Sequence, residues 1–135
     1  MTARVIQPEG WPRPKGYANG MAARGELLAI AGLIGWDATE TIVSDDVAAQ
    51  FDQALANVVE VVTTAGGKPE HIVSLTVFVT DKGEYASARR EIGAAWRARL
   101  GKHFPAMALV QVAALLEPRA KVEIQGLAVI PSGDA

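Results

Sequence analysis

The chain has no cysteine, only two histidines and few aromatic side chains: three tryptophans, two tyrosines and three phenylalanines among 135 residues. Without cysteine there is no disulfide, no thiolate nucleophile and no Cys-based zinc site. A reducing cytoplasm is then the expected compartment. His71 and His103 show no ligand spacing, so a metal site would need unrelated carboxylates, and none is expected. Charge of either sign is also scarce, at 21% of residues with a formal net charge of −2, which gives no attraction to nucleic acid or an anionic membrane. Trp11, Trp36 and Trp96 are scattered and form no base-stacking ladder. Gly66-Gly67-Lys68 lacks the phosphate-loop pattern. No apolar run has the length of a membrane span, and the opening residues, with prolines at 8, 12 and 14, do not read as a signal peptide.

What is present suits a folded α+β protein. Half of the residues are hydrophobic, and the length is that of one domain, 1–135. The proline-rich opening predicts loop, with regular structure only after it. Tyr17 to Arg24 and Glu26 to Gly32 read as two strands joined by a tight turn at Gly25. From Ser44, a plausible N-cap, the period becomes helical: Val47, Phe51, Ala54, Leu55, Val58, Val61, Val62 and Ala65 share one face, and Gly66-Gly67 ends it. His71 to Thr80 predicts a strand. Asp81 with Glu84 resembles a capping box for a second helix, whose stripe is Tyr85, Ala88, Ile92, Ala95, Trp96 and Arg99 or Leu100. Met107 to Leu116 and Lys121 to Ile130 complete a ββαβαββ order. Right-handed crossovers then place both helices on one face of a single mixed sheet.

The last two strands carry more information than the fold class. Met107 to Leu116 is apolar on both of its alternating faces, although two helices can cover only one side of the sheet. Another copy of the chain is the simplest cover for the other side. In the final strand Val122, Ile124 and Ala128 alternate with Lys121, Glu123 and Gln125, which delivers polar groups to the face away from the helices.

Gly32-Leu33-Ile34-Gly35, Gln50 with Leu55 and Asn57, Ala65-Gly66, Val77-Phe78-Val79, Pro105-Ala106 and Val122-Glu123-Ile124 occur in an order and spacing that resemble the Rid family, the reactive-intermediate deaminases also called YjgF or L-PSP endoribonucleases. The resemblance spans nearly the whole chain. It implies a chorismate-mutase-like (YjgF) fold and a homotrimer with a central β-barrel and clefts between subunits. It also implies hydrolysis of enamines or imines such as 2-aminoacrylate to a 2-keto acid and ammonia, without a cofactor.

Carried over by position, the resemblance puts Tyr17, Gly32, Ile34 and Glu123 at the cleft, with Glu123 beside a reacting water. Tyr17 either holds a ligand or caps the interface with its ring. Glu123 is either a general acid/base or a strand carboxylate paired with a cation. Gln111 is a pocket amide or a buried polar group with a partner of its own. His103 is a donor near the cleft or a loop residue. The departure from the family pattern is Met107, where the well-characterised deaminases carry an arginine that grips the substrate carboxylate. Met107 then either meets an apolar ligand or fills an interface, and Arg119 or Lys121 is a candidate replacement cation. An atypical imine deaminase and a non-catalytic trimer that binds a small metabolite are both compatible with these residues. A hydrogen bond to a charged group is worth about 1.5–3 kcal/mol. Little or no turnover of 2-aminoacrylate is therefore expected in an ammonia-release assay, and turnover equal to that of arginine-containing relatives would refute this reading of Met107.

Overall fold

The computed structural model describes residues 3–132. Its elements are β1 (Arg4–Ile6), β2 (Gly20–Ala22), β3 (Glu26–Ile34), α1 (Val47–Thr64), a 3-10 turn (Pro69–His71), β4 (Ile72–Val79), α2 (Lys82–Ser87), α3 (Arg89–Leu100), β5 (Ala106–Gln111) and β6 (Val122–Ile130). Four strands make one mixed sheet in the order β3-β6-β4-β5, in which β6 is antiparallel to both neighbours and β4 and β5 are parallel. β1 and β2 form a separate antiparallel pair.

The core follows from the two periodicities. Phe51, Ala54, Leu55, Val58 and Val62 of α1 are fully buried, and they pack with Ile92, Trp96 and Leu100 of α3 onto Leu75, Val77, Val79, Val122, Ile124 and Ala128 of the sheet. Full burial of a side chain such as Leu55 contributes about 1.5–3 kcal/mol. Phe51 meets the Tyr85 ring edge-on at 6.0 Å, and the desolvation this implies raises the Tyr85 pKa above its ordinary value. The face away from the helices is uncovered and largely apolar, with Leu27, Val110 and Leu127 40% or more exposed.

Five local expectations need correction. Regular structure begins before the prolines, because Arg4–Ile6 pairs with Gly20–Ala22 across the loop that the prolines form. The first two expected strands are consequently no hairpin. Ala18 lies against Ala106 at the β5 edge of the sheet while β3 is the opposite edge strand, so the chain must cross the sheet between them. Ser44 is not the helix cap: its hydroxyl accepts from the Asp46 backbone, and the Asp46 carboxylate accepts from the Ala49 N–H at 3.0 Å. The second helix is broken at Ala88, whose N–H is shared between the Glu84 and Tyr85 carbonyls. Met107 to Leu116 remains strand only to Gln111, beyond which Val112 adds one ladder bond to Val79.

Gly35 marks the place where α1 comes nearest to the end of β3, since a β-carbon there would lie 2.6 Å from the Gln50 Cα and 2.7 Å from its carbonyl oxygen. Both are backbone atoms of a packed helix and cannot yield cheaply. Gly35→Ala is expected to cost about 1–3 kcal/mol, the usual range for overpacking, read as a lower urea midpoint with an unchanged slope.

Candidate functional site

Two amides of α1, Gln50 and the partly buried Asn57, build the polar end of the molecule. Gln50 is fully buried; its Nε2 donates to the Ser44 carbonyl at 2.8 Å and to the Arg119 carbonyl at 3.0 Å, and its Oε1 accepts from the Lys121 N–H at 2.8 Å. Two turns further on, Asn57 Nδ2 donates to the carbonyls of Ile34 at 3.0 Å and Trp36 at 2.9 Å. The first amide fixes the approach to β6, and the second fixes the exit of β3. Between these fixed ends lies a cleft of about 270 Å³ lined by Gly32, Ile34, Trp36, Leu116, Glu117 and Glu123.

Glu123 pairs in register with Ile34 on one side and Phe78 on the other, and it is half-buried. Alternation along β6 turns it away from the helices. Gly32 leaves room for it, because a β-carbon on Gly32 would lie 2.6 Å from a Glu123 carboxylate oxygen. Among the described residues the ion pairs are Arg99–Asp52, Arg119–Asp45 and Lys121–Glu84, and none engages Glu123. Arg119 and Lys121 are thus both occupied elsewhere, at 2.9 and 2.7 Å. The hydrogen bond that Lys121 Nζ donates to the Glu84 carboxylate raises the Lys121 pKa above its ordinary value. Beside the cleft Asp37 closes a turn, and its pKa is lowered by hydrogen bonds from the Thr39 hydroxyl and the Thr39 and Thr41 backbones.

Tyr17 stands at the other edge of the sheet. The Ala18 N–H donates to the Pro105 carbonyl at 3.0 Å, which docks the arm against the start of β5. From there to β6 is three strand spacings, about 14 Å. Met107 is close to this edge but lies in register with Leu75, and its side chain packs against the core on the helix side. The Gln111 carboxamide oxygen accepts from the Lys82 N–H at 2.8 Å, at the first turn of α2. The His103 ring donates from Nε2 to the Ile72 carbonyl at 2.7 Å, and the His103 carbonyl accepts from Trp96 Nε1. Sequence reasoning therefore named residues in two places on this chain: Gly32, Ile34 and Glu123 around one cleft, and Tyr17 with Met107 near the far edge. It passed over Trp36, Leu116 and Glu117, which line the Glu123 cleft. A second carboxylate six positions from Glu123 leaves no periodic signal.

A carboxylate-lined cleft at the end of a mixed sheet, on a chain whose second sheet face is bare and apolar, defines a small α+β protein. The family model described as Endoribonuclease L-PSP matches residues 12–130. The chain belongs to this family, the Rid or YjgF proteins. It is 35% identical over 131 residues to the 2-iminobutanoate/2-iminopropanoate deaminase of Salmonella typhimurium, covering 94% of this chain and 98% of the relative. It is 36% identical over 137 residues to Protein DfrA of Myxococcus xanthus, with coverage of 96% and 97%. Among solved structures, a Rid-family protein of Yersinia pestis superposes with a TM-score of 0.82 at 32% identity over 96% of this chain and 100% of the other. The YjgF gene product of Escherichia coli gives 0.67 at 35% identity, covering 93% and 98%.

Gln50→Leu keeps the volume and strands the Lys121 N–H and two carbonyls without their partner. An unsatisfied buried group costs about 1–3 kcal/mol, so chemical denaturation is expected to show a loss of about 3 kcal/mol or more.

Proposed function

We propose that the chain is a hydrolytic deaminase of imines or enamines, working in clefts completed between subunits of a cytoplasmic homotrimer and using no cofactor. The observation that carries this reading is Glu123: a half-buried carboxylate without an ionic partner among the described residues, facing a cleft in a chain about one third identical to named imine deaminases. A structural carboxylate would be expected to hold a cation, and the nearby cations are held by Asp45 and Glu84.

The chemistry asks little more than a base and a positioned water. Glu123 takes a proton from water as the water oxygen bonds to the imine carbon and the C=N π pair passes to nitrogen, and Glu123 hands that same proton to the nitrogen to give a neutral carbinolamine. Glu123 then takes the hydroxyl proton of the carbinolamine and delivers it to the nitrogen as the C–N bond breaks and the C=O bond forms, and ammonia and a carbonyl compound leave. Backbone groups around Gly32 and Ile34 border the reacting centre, and Tyr17 arrives from a neighbouring subunit, since it is about 14 Å away across its own sheet. The bare face with Leu27, Val110 and Leu127 supplies the surface for assembly.

A second reading, a trimer that binds a metabolite without turning it over, is favoured by Met107, which turns into the core and offers a substrate carboxylate nothing. One variant separates the two. Glu123→Gln is expected to lower turnover of imines generated in situ by an amino-acid oxidase by about 10²–10⁴-fold, the usual contribution of general acid–base catalysis. Light scattering should still give the mass of three chains. Full turnover in the variant would make Glu123 structural, absence of turnover in the parent protein would favour the binding reading, and a monomer mass for the parent would remove the shared cleft.

A further inference from the structure

The N-terminal arm forms the wall of a second cleft, about 730 Å³ in volume, at the start of β5. Tyr17, Trp11 and Phe104 supply its aromatic surface, and Arg13 and Lys102 supply its charged side chains. No Asp or Glu lines it, although the chain as a whole is acidic. Arg13 is exposed and, among the described residues, takes part in no ion pair.

The arm is held in shape by its own polar contacts. Gln7 Nε2 donates to the carbonyls of Trp11 and Pro12, each at 3.2 Å, and Gln7 Oε1 accepts from Asn19 Nδ2 at 2.8 Å. Prolines on both sides of Arg13 fix the backbone further. The opposite wall is equally fixed: Phe104 stacks on Trp96 at 6.0 Å with planes 5° apart, and His103 is tied to Ile72. A volume of this size suits a ligand far larger than a two- or three-carbon acid.

We infer that Arg13, carried like Tyr17 by the arm of one subunit to the Glu123 cleft of its neighbour, supplies the carboxylate contact that Met107 cannot, and that the substrates are 2-imino acids with bulky apolar or aromatic side chains. The inference rests on the deaminase reading above and names its substrate class. A guanidinium on the arm grips the carboxylate bidentately. The side chain of the ligand lies against Tyr17, Trp11 and Phe104, where flat rings offer large contact area at low entropic cost.

The test uses phenylpyruvate, the 2-keto acid that hydrolysis of the phenylalanine-derived imine would release, with pyruvate as the small comparison, both titrated calorimetrically into the full chain. Phenylpyruvate is expected to bind more tightly than pyruvate. Arg13→Ala should weaken phenylpyruvate about 10- to 100-fold, the weight of a hydrogen bond to a charged group. Arg13→Lys should recover part of the loss, and the thermal midpoint should not move, because Arg13 anchors nothing in the fold. With oxidase-generated imines, the same Arg13→Ala change should raise KM for the phenylalanine-derived imine more than it lowers kcat. Equal binding of pyruvate, no binding of phenylpyruvate, or unchanged binding in Arg13→Ala each overturns the inference. Should Arg13→Ala lower the thermal midpoint, Arg13→Gln carries the same comparison, and an unweakened Arg13→Gln overturns it equally. Turnover that ignores Arg13 sinks this inference and leaves the deaminase reading standing. Arg13-dependent binding without turnover of any imine sinks the deaminase reading and leaves the anion cleft standing.

Discussion

The structure depends on one buried amide. Gln50 sits at the point of nearest approach between α1 and the end of β3, with Gly35 against its backbone, and its side chain ties the Ser44 loop to the strand that carries Glu123. An amide in that position is a liability of about 1–3 kcal/mol per unmade bond, so its partners can occupy few other positions. The consequence runs along β6. A slip of one residue would turn Glu123 into the core and Ile124 out of it, and the backbone bond from Lys121 to Gln50 sets the register two residues before that carboxylate. Asn57 holds the other wall through Ile34 and Trp36. The cleft is therefore shaped by helix side chains that never reach its surface.

On the proposed reading, the same architecture explains why one chain would hold only parts of a site. The helices lie on one side of the sheet, so the cleft residues emerge on the other, where Leu127, Phe78 and Val110 surround Glu123 and Gln125 with apolar surface. Covering that surface and completing the cleft are one problem. On the proposed reading a neighbouring subunit solves both, because its own arm brings Tyr17 on an edge that the home chain cannot fold back to.

The parts legible in the sequence are those governed by a single period. The stripe Phe51, Leu55, Val58 and Val62 and the alternation Val122, Ile124 and Ala128 are both buried as read. The arm was illegible for a physical reason: β1 is a strand only because β2 lies beside it across a proline loop, and short strands with three paired residues carry no pattern of their own. Asp46 displaced Ser44 as the cap because a carboxylate two residues later reaches the Ala49 N–H, while the serine hydroxyl is spent on Asp46 itself. Gln50 and Asn57 entered only as residues of the family resemblance, and their partners 69 and 23 residues away are set by topology. Glu123 was singled out by family resemblance, since alternation placed it on a face without saying what that face does.

Position 107 shows how a sheet limits where recognition can be placed. In register with fully buried Leu75, its side chain runs along the core before it can reach any cleft. An arginine there would have to lay its methylenes on that apolar surface and present its guanidinium at the edge; methionine keeps the packing and gives up the charge. A strand offers no compensating position nearby, because Leu109 and Gln111, the next residues on the same face, lie exposed or hold the start of α2. Recognition of an anion must then come from an element that the sheet does not constrain. The arm is such an element, since it is fastened by Gln7, Asn19 and the Ala18 bond to Pro105 while the side chains between those ties remain free to vary. Fixed backbone with uncommitted side chains is the condition under which, on the proposed reading, a fold can keep Glu123 for hydrolysis and change what it binds.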